Sequence, residues 1–153
     1  AEIKQLEAIR LGAASHPVEV VPTFLGAHTI PKELRSDRNR YLDEIVGDMI
    51  PEISRRKLAV YADAFVDAQA FSIPEARRVL EAASAAGLGV RLHADQLADD
   101  GSALLAAELH AASADHLEHV SDEGIEALAR AGTAAVLLPA ATFFLTNSSK
   151  PGS

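Results

Sequence analysis

Two hydrophobic periods alternate along this chain. Stretches with apolar residues three to four positions apart, as on one face of a helix, are separated by short runs in which apolar residues are nearly continuous. Residues 2–14 put Ile3, Leu6, Ile9 and Ala13 on one helical face, and an extended run follows at 18–25. A polar, Pro- and Arg-containing loop over 29–40 leads to a second helix with Leu42, Ile45, Val46, Met49 and Ile53 in phase. Pro51 is expected to kink or restart that helix. The next strand is read at 59–66, and Ser72-Ile73-Pro74-Glu75 starts a third helix with a Ser cap, a Glu three residues on and a Pro in the first turn. That helix should run to Gly87, suited to a C-terminal cap, before a strand at 89–94. A helix at 102–111, a strand at 114–120, a fifth helix from the Ser121 cap to about Gly132 and a strand at 134–140 complete the pattern.

Strands separated by crossover helices run parallel, with right-handed connections. The expected fold is therefore α/β, built of parallel (β/α) units with about five strands. At 153 residues the chain can bury one sizeable core. Hydrophobic residues make up 48% and aromatics only 5%, so Ala, Leu and Val must do most of the packing. The organisation expected is one unit over 1–145 and a polar tail or linker over 146–153. Ala1 lies inside what already reads as a helix, as expected of a piece of something larger.

A net charge of −8, with no basic cluster, argues against nucleic acid or an anionic membrane surface as partner. No apolar stretch approaches the roughly 18 residues of a membrane span. There is no Cys, hence no disulfide framework and no thiolate metal site. A soluble, cytoplasmic protein acting on a small molecule is the expectation.

In a parallel sheet all strand C-termini lie on one face, where α/β folds place their chemistry. His28, Asp67, His93 and His119 end or follow strands and would gather there. His93 stands out, because Val90-Arg91-Leu92 ends abruptly in His93-Ala94-Asp95-Gln96. Side chains alternate along a strand, so His116 and Glu118 should share one face and Asp115, Leu117 and His119 the other. One of these sets should face the helices, leaving at most one for chemistry. Asp67 reads equally well as a turn residue, and His16 and His110 as structural or solvent-exposed. No GxGxxG, GxxxxGK[ST], GxSxG or HExxH motif occurs, and no two histidines have chelating spacing.

Four segments in order resemble consecutive signatures of the imidazolonepropionases, amidohydrolases that open the imidazolone ring in histidine degradation. They are Thr23-Phe24-Leu25-Gly26-Ala27-His28, His93-Ala94-Asp95-Gln96, Ser113-Ala114-Asp115-His116-Leu117-Glu118 and Val136-Leu137-Leu138-Pro139. The resemblance covers roughly Leu6 to Leu145 and implies strands three to seven of an eight-stranded TIM barrel. It implies one divalent Zn or Fe ion, with His93 as a metal ligand. His116 matches a residue that helps orient and activate the attacking water, and His28 and Gln96 match substrate contacts. A Gln donates or accepts a hydrogen bond but cannot serve as a general base, so a proton shuttle must lie elsewhere.

The family's first-strand His-x-His pair would lie before Ala1, and its last-strand Asp beyond Ser153. One of four expected metal ligands is thus present. The alternatives are a non-catalytic excised or engineered fragment, and an amidohydrolase for another cyclic amide.

Five strands cannot close an eight-stranded barrel, so the runs at 18–25 and 134–140 should be open edges through which copies associate as a homo-oligomer. A charge in such an edge opposes pairing. Val136→Lys should therefore shift the chain toward monomer in sedimentation. A clean monomer for the unmodified chain at high concentration would rule edge pairing out.

Overall fold

The computed structural model describes residues 2–148. Five parallel strands form one sheet in sequence order. They are β1 (Thr23–Ala27), β2 (Tyr61–Phe65), β3 (Gly89–Ala94), β4 (Ser113–His116) and β5 (Ala134–Val136). Helix α1 (Glu2–Ala13) precedes β1, and α2 (Arg38–Glu44) and α3 (Ile50–Arg56) carry the chain to β2. Helices α4 (Ile73–Ala85), α5 (Ser102–Glu108) and α6 (Asp122–Ala131) make the next three crossovers, and α7 (Pro139–Ser148) follows β5. The parallel α/β organisation expected from the alternating periods is observed. Among the described residues the sheet is open, with β1 and β5 at its edges.

Alternation along the strands divides the sheet into two unlike faces. Ala62, Ala64, Val90, Leu92, Ala94 and Ala114 are buried, together with Ala76, Val79, Leu80 and Ala83 of α4 and Ala103, Leu105 and Ala106 of α5. Small side chains let these helices lie close to the strands, which is how so few aromatics suffice. The opposite set, Tyr61, Phe65, Arg91, His93 and Asp115, is only partly buried. Tyr61 lies against Gly89, where a Cβ would come within 2.5 Å of the ring. The Arg91 guanidinium sits 4.1 Å from the same ring's centroid.

Several boundaries differ from the expected ones for identifiable reasons. The run at 18–25 enters the sheet only at Thr23, which pairs with Tyr61, and Val18, Val20 and Val21 stay exposed. The second helix is divided as Pro51 requires. Residues 45–49 form a π-helical turn in which the Ile50 N–H donates to the Ile45 carbonyl, and α3 begins next to Pro51. The widened turn accommodates a residue with no N–H while keeping Ile45, Ile50 and Ile53 in the core. The strand expected at 114–120 stops at His116, and that expected at 134–140 stops at Val136. Pro139 opens a helix instead, a position where its missing N–H costs nothing. Helix α7 runs through Ser148 into the segment expected as a polar tail, whose residues 149–153 lie outside the described residues. In α1 only Leu6 is fully buried.

The start of α4 is tied across the fold. The Glu75 carboxylate accepts from the Ser72 N–H at 2.8 Å, closing the expected capping box, and from Arg38 Nε at 2.8 Å and Nη2 at 2.6 Å. Arg38 also donates to the Ala70 carbonyl at 2.8 Å, so α2 and the loop before α4 are held together. The Arg38 hydrogen bonds, against the opposing effect of burial, hold the Glu75 carboxyl down from 4.5 to about 2. A depressed folded-state pKa means this stabilisation is complete above pH 4.5 and lost as pH falls toward about 2. Glu75→Gln should lower stability by about 1–2 kcal/mol at neutral pH. The difference between the two proteins should vanish as acid is added. Urea midpoints that coincide at pH 7 would show that the clamp contributes nothing.

Candidate metal centre

The C-terminal ends of β1, β3 and β4 and the middle of β2 bring three imidazoles and a carboxylate together. Asp63 lies in the middle of β2 on the face shared by Phe65, Arg91 and His93. Its Oδ1 accepts from His28 Nε2 at 2.9 Å and from His93 Nδ1 at 2.8 Å. The His28 and His93 rings stand nearly edge to face, with centroids 4.7 Å apart, and the Phe65 ring lies 6.1 Å from that of His93. The His116 ring centroid is 5.2 Å from that of His93.

Of the three histidines, only His93 reaches this place by regular alternation. On β1, Phe24 pairs with Ala62 and Ala27 with Ala64, so three steps along one strand oppose two on its partner. This bulge puts both Phe24 and Ala27 on the buried side and turns His28 to the face of Asp63. Without the extra residue, His28 would fall on the same face as Phe24. His116 is redirected differently. It and Leu117 adopt left-handed backbone, with φ of 82° and 66°. Such angles cost of order 1–3 kcal/mol each for residues with a Cβ and collect at functional sites. The turn ends β4 and frees His116 from the strict alternation that would place it and Asp115 on opposite faces. Asp115 is the register partner of His93, and both His116 and Asp115 lie near that ring.

Electrostatics couples the cluster. Burial pushes the Asp63 carboxyl up, but hydrogen bonds from His28 and His93 more than offset it and leave it below its ordinary value. For His93, burial disfavours the cation, while the bond to Asp63 and the charges of Asp63 and Asp115 favour it more, so its pKa is raised. His28, Asp63 and His93 each offer one ligand atom, all within 4.8 Å of one another. Imidazole nitrogen plus carboxylate oxygen is a donor set suited to Zn or Fe.

His116 is buried, and its Nδ1 lies 3.5 Å from Glu118 Oε1, too far for a good hydrogen bond. Glu118 Oε1 accepts instead from the Thr142 hydroxyl of α7 at 2.9 Å. Gln96 is the second residue after β3, in a loop fixed by the buried Asp95 carboxylate. That carboxylate accepts from Ser102 Oγ at 3.0 Å and from the Ala103 N–H at 3.2 Å. No hydrogen bond joins Gln96 to the histidines among the described residues. Asp67 accepts from the Gln69 N–H at 2.8 Å and is a turn residue. His119, His110 and His16 are exposed, and among the described residues none has a ring contact or side-chain hydrogen bond with His28, Asp63, His93 or His116.

Asp63 was not singled out from the sequence. The available signal was a lone acidic residue at the centre of the apolar run Tyr61-Ala62-Asp63-Ala64-Phe65.

Fold and site together define a parallel α/β segment that gathers His and Asp side chains toward the C-terminal side of its strands, where α/β enzymes place their chemistry. No family model matches the chain. Curated relatives do match it. The imidazolonepropionase of Symbiobacterium thermophilum is 53% identical over 148 residues, covering 96% of this chain and 35% of that protein. That of Rubrobacter xylanophilus is 51% identical over 145 residues, with 95% and 34% covered. That of Brevibacillus brevis is 44% identical over 151 residues, with 99% and 36% covered. The chain is homologous to the imidazolonepropionases along nearly all of its own length, and spans about a third of the length of these relatives.

The chain should bind Zn2+ or Co2+ weakly at this cluster. His93→Ala should lower that affinity at least ~10-fold. Equal affinity in the two proteins, by calorimetry or Co2+ absorption, would place the ion elsewhere.

Proposed function

We propose that this chain is the central part of a metal-dependent cytoplasmic hydrolase that opens the ring of 4-imidazolone-5-propanoate in histidine degradation. The observation that carries this is the shared contact at Asp63, which sets His28 and His93 side by side with His116 beside them, in a chain up to 53% identical to imidazolonepropionases.

A divalent Zn or Fe ion, when bound, supplies Lewis-acid activation of the ring carbonyl and of the attacking water. The residues of this chain do the positioning. His93 holds the ion. His116 orients the water, its ring set beside that of His93 by the left-handed turn that ends β4. His28 reaches toward the substrate from the bulged end of β1, and Gln96 offers an amide to the imidazolone ring. Addition of water to the ring carbonyl and cleavage of its C–N bond, with a proton passing to the departing nitrogen, gives the formimino amino acid. Gln96 cannot take that proton, and the further metal ligands expected from the resemblance are not among these residues.

The full-length protein carrying these residues should therefore hydrolyse 4-imidazolone-5-propanoate at about 1–1,000 per second. His116→Ala should slow it by ~100-fold or more. The 153-residue chain alone should show negligible turnover. Absence of hydrolysis by the metal-loaded full-length protein, together with turnover of a different cyclic amide, would assign the site to another substrate.

A further inference from the structure

We propose that Asp63 is a positioning residue that sets opposite tautomers on two histidines, giving His93 a free Nε2 for the metal ion and His28 a free Nδ1 for the substrate. This rests on the function proposed above for what each free nitrogen meets, but the tautomers follow from geometry alone.

An ionised carboxylate has no hydrogen to donate, so a ring nitrogen bonded to it must carry one. Asp63 Oδ1 is bonded to Nδ1 of His93 at 2.8 Å and to Nε2 of His28 at 2.9 Å. A neutral imidazole carries a single N–H. His93 is therefore the Nδ1–H form with its lone pair on Nε2, and His28 is the Nε2–H form with its lone pair on Nδ1. The two rings cross at 80°, which lets both N–H groups converge on one oxygen.

Their backbones make the arrangement hard to swap. His93 leaves β3 in register with Phe65, two residues beyond Asp63 on the same face, whereas His28 arrives from beyond the β1 bulge. Asp63 is 3% exposed, so water does not compete well for its oxygen. A carboxylate behind a metal-bound histidine fixes ring orientation and raises ligand basicity, and its loss commonly costs 10–100-fold in metal affinity. What is unusual here is that one oxygen serves two histidines with different tasks. Removing it would change the metal ligand and the substrate contact together.

The test needs no substrate and no metal. In the metal-free 153-residue chain with 15N-labelled histidine, at a pH where the rings are neutral, long-range 15N–1H spectra distinguish the two tautomers. His93 should show the Nδ1–H form and His28 the Nε2–H form, with the exposed His110 and His119 as internal references. In Asp63→Ala, His93 should return to the mixture seen for the references, and Zn2+ affinity should fall ~10–100-fold. Asp63→Glu should restore the Nδ1–H form in part.

His93 found in the Nε2–H form in the unmodified chain would overturn the proposal, whatever the variants do. So would an unchanged His93 tautomer in a folded Asp63→Ala chain, since a purely structural role would lower stability and leave the spectra alone. Failure of the functional assignment is seen separately, as a full-length protein with the expected tautomers that does not hydrolyse 4-imidazolone-5-propanoate.

Discussion

A single oxygen, Asp63 Oδ1, joins the ends of β1 and β3 by accepting from one ring on each side of β2. A buried carboxylate without partners would be costly, and an imidazole at a strand end would otherwise sample several rotamers. Each group answers the other's need. The histidines offset the burial of Asp63, and Asp63 fixes the histidines in orientation and protonation. His116 and Asp115 then complete a polar cluster around His93.

That cluster is held by a scaffold with little freedom. Alanine-rich packing brings α4 and α5 close against β2 and β3, so the middle strands that carry Asp63 and His93 are the most firmly seated. Two carboxylates outside the site secure its loops. Glu75 fixes the start of α4 to Arg38, and Asp95 ties the turn after β3 to the first residues of α5. Gln96 lies inside that second tie.

The sheet's other face has a different character. Tyr61, Phe65, Arg91, His93 and Asp115 share it and remain partly exposed, although several are of types that normally seek partners.

Much of this was legible in the chain itself, because hydrophobic period and cap chemistry are local. The helix and strand order, the parallel sheet, the Ser72-Glu75 capping box, the break at Pro51 and the prominence of His93 each depend on residues within a turn or two of one another. Family resemblance likewise resides in short contiguous motifs. What the chain could not reveal is where alternation fails. The bulge that turns His28 inward arises from pairing between residues some 40 positions apart, and the left-handed pair His116–Leu117 has no glycine to announce it. Asp63 went unnoticed for the same reason, since an acidic residue within an apolar strand acquires meaning only when two imidazoles arrive from other strands. Periodicity assigns a side chain to a face. Which groups meet across that face is decided by register and backbone irregularity, and these are settled only when the strands pack.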